Sequence, residues 1–95
     1  MLESTARFET ENGSKYLQQL CKHFAHKVTV DYTETDARCE LPPGPATLQA
    51  DAHCLSFAVT AADEDGLKLA KYIIEDHIVR FAFREELKSL NWCDQ

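Results

Sequence analysis

The strongest constraint on this chain is the apolar periodicity between Asp63 and Leu87. Leu67, Ala70, Ile74, Ile78 and Phe81 recur at spacings of three and four residues. At about 100° per residue, such positions share one face of an α-helix. A stripe of this kind has to be buried, and a sheet is the expected surface for it. The spacing predicts a long helix over 63–87. Asp63 is the expected N-cap, with Glu64 and Asp65 in a first turn whose positive dipole end favours acids. His77 lies within the stripe, and Arg84 and Glu85 lie along its edges. Each of these groups needs partners once water is removed, so the segment from His77 to Glu85 marks where a polar site is expected.

The rest of the chain supplies the sheet. Glu3 to Thr10 alternates weakly, with Ala6 and Phe8 on one face, and reads as a first strand. Thr10 or Asn12 can cap a helix that starts near Gly13. Tyr16, Leu17, Leu20, Cys21, Phe24 and Ala25 form its apolar stripe, and the basic pair His26-Lys27 closes it. Val28, Val30 and Tyr32 alternate with polar residues in a second strand. Ala37, Cys39 and Leu41 give the inner face of a third, which Pro42-Pro43-Gly44-Pro45 breaks. Ala46, Leu48 and Ala50, then Leu55, Phe57, Val59 and Ala61, give two more. The expected order is strand, helix, four strands, helix. Short turns make the last four strands an antiparallel meander. With both helices on one face, 95 residues form a single α+β domain. TATA-binding-protein-like and helix-grip-like folds share this order, an analogy that carries no function.

Charge excludes some function classes. A net charge of −6 argues against a nucleic-acid partner, which needs a basic face, and against an anionic membrane surface. No stretch reaches the roughly twenty apolar residues of a transmembrane helix. The N-terminus lacks the basic leader and apolar run of a signal peptide, so a cytoplasmic location is expected. There Cys21, Cys39, Cys54 and Cys93 should remain thiols. No glycine falls in a G-x-G pattern, so no phosphate-cradling loop is expected.

The long helix also carries a second apolar line, Tyr72, Val79 and Phe83, with Leu69 beside it. Such a line needs cover. The first helix or the C-terminal segment with Trp92 could provide it, and so could a second copy of the chain in a homodimer.

Two constellations could carry chemistry. In the first, His77, Arg80, Arg84, Glu85 and Tyr32 line a cleft between the long helix and the sheet. Arg84 or Arg80 would hold a small anionic ligand in a fork, while His77 exchanges a proton near neutral pH. The alternative is structural. His77 bonds a strand carbonyl or Tyr32, Arg84 pairs with Glu85 or a sheet carboxylate, and the network fixes the register of the helix. In the second constellation, His23 and His26 stand three apart on the first helix. With His77 and Cys21 they could ligate zinc or iron, although no strong zinc spacing is present and no cofactor is expected. Cys21 is a poor candidate nucleophile, because it lies in an apolar stripe away from an acidifying helix N-terminus.

Two stretches are distinctive together. They are Tyr16-Leu-Gln-Gln-Leu-Cys-Lys-His-Phe-Ala-His-Lys27 and His77-Ile-Val-Arg-Phe-Ala-Phe-Arg-Glu85, the latter followed by Trp92. With Leu48-Gln-Ala-Asp51 and Leu55 through Ala62 between them, the chain resembles the bacterial "domain of unknown function 2218" family over nearly its whole length. That family has no assigned activity to carry over. Its occurrence beside siderophore-interacting modules implies a link to iron handling. The resulting expectation is a non-enzymatic small-ligand-binding or accessory module. The alternatives are a metal-dependent protein or enzyme using His23, His26 and His77, and a purely structural dimerisation domain.

Overall fold

In the computed structural model, which describes residues 1–85, 87 and 89–94, the inward positions of every long strand meet the apolar stripes of two helices. The elements run β1 (Leu2–Glu9), α1 (Gly13–Phe24), β2 (Val30–Tyr32), β3 (Asp36–Leu41), β4 (Gly44–Ala50), β5 (Cys54–Ala61) and α2 (Glu64–Phe81). A 3-10 turn (Phe83–Glu85) and a short β6 (Cys93–Asp94) follow. The six strands form one sheet in the order β2-β3-β4-β5-β1-β6. All neighbours are antiparallel. The domain is α+β, as the alternating patterns required.

Side chains alternate across a strand, and here the alternation sorts the sheet cleanly. Ala6, Phe8, Cys39, Leu48, Leu55, Phe57 and Val59 point to the helices. They join Leu17, Leu20, Leu67, Ile74 and Ile78 in one core. Ile74 and Ile78 are fully buried, which stabilises the fold by about 1.5–3 kcal/mol each. The stripe predicted for α2 is therefore the packed one, with Phe81 half-buried at its end. Asp63 caps α2, accepting from the Gly66 amide at 2.8 Å.

Several expectations are corrected. α2 stops at Phe81 instead of continuing to Leu87, because Ala82 takes a non-helical conformation and the chain tightens into the 3-10 turn. Arg84 and Glu85 consequently leave the helical stripe. Neither Thr10 nor Asn12 caps α1 through its side chain. Instead the Thr10 hydroxyl accepts from the Asn12 amide at 3.0 Å. The break expected over Pro42-Pro43-Gly44-Pro45 is shorter than the run, since β4 already begins at Gly44. Pro42 and Pro43 alone make the turn, and Leu41 pairs with Gly44. The sheet also has a strand that no periodicity announced, β6, which pairs Cys93 and Asp94 with Thr5 and Ser4. Lys71 of α2 fixes it by an ion pair to Asp94 at 2.6 Å. Just before it, Glu75 accepts from the Leu90 amide at 2.7 Å.

Candidate functional site

The polar groups expected beneath α2 separate into different places. Glu85 turns toward the start of α1. Its carboxylate accepts from the Thr10 hydroxyl at 2.7 Å, the Asn12 side-chain amide at 3.3 Å and the hydroxyl of buried Tyr16. Burial alone would raise the Glu85 carboxyl; the Tyr16, Thr10 and Asn12 donors more than reverse this and hold it below the usual range. The same contact, together with burial, pushes the Tyr16 phenol up to about 12. This is a clamp between the start of α1 and the turn that follows α2, made by three hydrogen bonds to one carboxylate.

His77 is half-buried and sits at a helix–helix contact, not over the sheet. Its Nδ1 lies 2.6 Å from the Ile73 carbonyl of its own helix, so neither a strand carbonyl nor Tyr32 is its partner there. Its ring lies 4.6 Å from that of His23, with Phe24 at 5.1 Å and Phe81 at 6.3 Å. Desolvation, then His77 and the nearby His26, Lys27 and Arg80, lower the His23 imidazole below its ordinary value. Arg80 is exposed and reaches Asp76 at 3.4 Å. Arg84 is exposed and lies over the Phe83 ring at 5.7 Å. Tyr32 is exposed on β2, beside a shallow depression with Asp31 and Arg38. The structure therefore brings His23 and His77 together, but does not join His77, Arg84 and Glu85 in one network. Nor does it assemble the histidine trio: among the described residues no group of three or more His, Cys, Asp or Glu side chains is placed to hold a metal ion.

No disulfide joins the four cysteines. Cys21 and Cys39 are fully buried, and the neighbouring Cys21 together with burial pushes the Cys39 thiol up. Both lie in the core, away from any cleft.

The clearest concavity is on the other side of the molecule. With both helices on one face, no helix among the described residues covers the opposite face of the sheet. A trough of about 700 Å³ runs across β1, β5, β4 and the start of β3. Its floor is made of short side chains, Thr5, Thr47, Ser56 and Ala58, with Gln49 among them and Asn91 at the rim. The register explains the shape. Thr5 stands beside Ala58, and Ala58 beside Thr47. Arg7, Ser56, Gln49 and Asp36 form the next row, each beside its neighbour. A solvent face is ordinarily covered by long polar side chains, and here the central strands carry hydroxyls and a methyl instead. None of His77, Arg80, Arg84, Glu85 or Tyr32 lines this trough. The sequence carries a signal for it in the small outward residues of β5 and the threonines that face them. No histidine lines the trough either, so its chemistry is that of recognition by hydroxyl, amide and charged groups.

The family described as "Uncharacterized protein conserved in bacteria (DUF2218)" matches over residues 5–93. The NMR structure of PA4090 from Pseudomonas aeruginosa is 28% identical in sequence. It covers 100% of this chain and 96% of its own, with a TM-score of 0.79. No curated protein matches the chain.

Proposed function

Since the chain belongs to the bacterial DUF2218 family, whose match runs from Thr5 within β1 to the start of β6, we propose that it is a non-enzymatic module that binds a small polar molecule on the open face of its sheet. One observation carries this reading: the trough of about 700 Å³, whose size suits a small ligand. Its lining combines a few fixed polar groups with a low, partly apolar floor. Binding sites commonly have this composition, with polar groups giving orientation and the floor giving contact area. A catalytic reading has less support, because Asp36 is the one carboxylate among the lining residues and no histidine stands near it to share a proton. An accessory role in iron handling, implied by the family resemblance, would place an organic chelator in the trough, with iron arriving as part of that cargo.

Amide spectra of labelled protein, recorded with a panel of small acids, amines, amides and alcohols, test this reading. Shifts should concentrate at Thr5, Arg7, Thr47, Gln49 and Ser56. Ala58→Phe, which fills the trough from an outward position, should remove them while leaving the core resonances in place. Shifts that cluster around His23 and His77 instead would overturn the proposal and return the site to the helices. Zinc or iron bound stoichiometrically to untagged protein would favour the metal-dependent alternative, now reduced to the His23–His77 pair.

A second reading is self-association through α2. Leu69 and Tyr72 of α2 and Phe83 of the turn after it are 48%, 63% and 66% exposed, while Val79 is half-buried. Trp92 packs toward Phe57, with ring centroids 6.4 Å apart, and not onto these side chains. A sedimenting monomer at micromolar concentration would remove this reading.

A further inference from the structure

We infer that the ligand of the trough carries two opposite charges held apart, a carboxylate or similar anion at one end and an ammonium at the other. This rests on the ligand-binding reading above. Two charged residues line the trough, Arg7 and Asp36, and every other lining residue is neutral. They occupy opposite ends of one cross-strand row, Arg7–Ser56–Gln49–Asp36.

Neither charge is neutralised by the other. Arg7 is exposed and makes no ion pair among the described residues. The nearby cation on β3, Arg38, is already closed on Glu40 at 2.7 Å. Asp36 is held in place by its surroundings. Its backbone carbonyl accepts from the Thr33 amide at 2.7 Å, and its own amide donates to the Thr33 hydroxyl at 3.1 Å. Its carboxylate oxygens accept one hydrogen bond each, from the Thr35 hydroxyl at 2.8 Å and the Gln49 amide at 3.3 Å. A carboxylate offers about four acceptor positions, so an oriented anion with capacity to spare faces an uncommitted guanidinium along a neutral floor.

The spacing sets the length of the ligand. Three inter-strand steps separate the two residues, about 14 Å at the usual strand spacing. Strand side chains stand roughly perpendicular to the sheet, so the charged heads keep about that separation. A charge-assisted hydrogen bond at each end takes about 2.8 Å, which leaves about 8 Å for the ligand. An extended chain with its ammonium and carboxylate some six bonds apart spans this distance. An α-amino acid, with both charges on one carbon, would reach only one end.

The isomers 6-aminohexanoate and 2-aminohexanoate test the inference, because they share composition and net charge and differ in charge separation. Hexanoate, hexylamine and hexanamide serve as controls, and binding is read from amide shifts on the outer sheet face. The first isomer should bind at least about tenfold more tightly than the second and than any control. Arg7→Gln should weaken 6-aminohexanoate and hexanoate by about tenfold and leave hexylamine unchanged. Asp36→Asn should weaken 6-aminohexanoate and hexylamine and spare hexanoate. Equal shifts by both isomers and by hexanamide would overturn the two-charge inference while leaving the trough as a binding site. If no compound shifts any outer-face amide, both fail together.

Discussion

Glu85 offers the most direct test of how the two helices are joined. The perturbation is a double-mutant cycle over Tyr16→Phe and Glu85→Ala. Tyr16 is buried, and its hydroxyl donates to a carboxylate that is partly open to solvent. A hydrogen bond to a charged group contributes about 1.5–3 kcal/mol net, and access of water to this carboxylate argues for the lower end. Tyr16→Phe should therefore cost about 1.5 kcal/mol, a fall in Tm of about 6–12 °C for a domain of this size. Glu85→Ala should cost about 2–3 kcal/mol, because it also leaves the Thr10 hydroxyl without its acceptor. The two should couple by about 1 kcal/mol. Urea denaturation of all four proteins measures this.

The pH dependence follows from the same contact. The Glu85 carboxyl is depressed in the fold, so its contribution is complete above the ordinary value of 4.5 and is lost as pH falls through the lower folded value. Tyr16 is raised from 10.0 to about 12, so its contribution is complete below 10.0 and is lost as pH rises through about 12. Glu85→Ala should flatten the acid arm. A coupling below about 0.3 kcal/mol, or an unchanged acid arm, would refute the reasoning.

Two further outcomes are expected. Gly44→Ala should destabilise by about 1–3 kcal/mol, seen as a lower urea midpoint at constant slope, because an added Cβ would meet the Thr60 carbonyl oxygen at 2.5 Å. In an NMR titration the His23 ring should have its midpoint below the ordinary histidine value, and His77→Asn should move it upward by removing one of the groups that depress it. A midpoint indifferent to residue 77 would show that the two rings touch without sharing charge.

Residue pattern made most of the fold legible. Leu67, Ala70, Ile74 and Ile78 declared a buried helix face, and Ala37-x-Cys39-x-Leu41 and Leu55-x-Phe57-x-Val59-x-Ala61 declared which side of each strand points inward. The end of α2 was not legible, because apolar spacing runs on through Phe81 and Leu87 while the backbone turns at Ala82 to bring Glu85 to Thr10 and Tyr16. That choice is made by contacts some 70 residues apart in sequence, which a local period does not register. β6 was hidden by its length, since two residues show no alternation. The trough was hard to read for a related reason. Ionisable residues in an apolar stripe stand out one at a time. A trough floored by Thr5, Thr47, Ser56 and Ala58 emerges only when three strands are laid side by side in register.

The rims of the sheet constrain any assembly it enters. The border strands are short: β2 has three residues and β6 has two, and among the described residues β6 pairs with Ser4 and Thr5 of β1 and not with residues 6–9. Short, interrupted borders disfavour recruitment of a neighbour's strand, which favours association through a broad surface such as the outer side of α2 or the hollowed plane on the far side of the molecule. If the hollow is filled by another protein, small-molecule uptake and complex formation become mutually exclusive states of one surface.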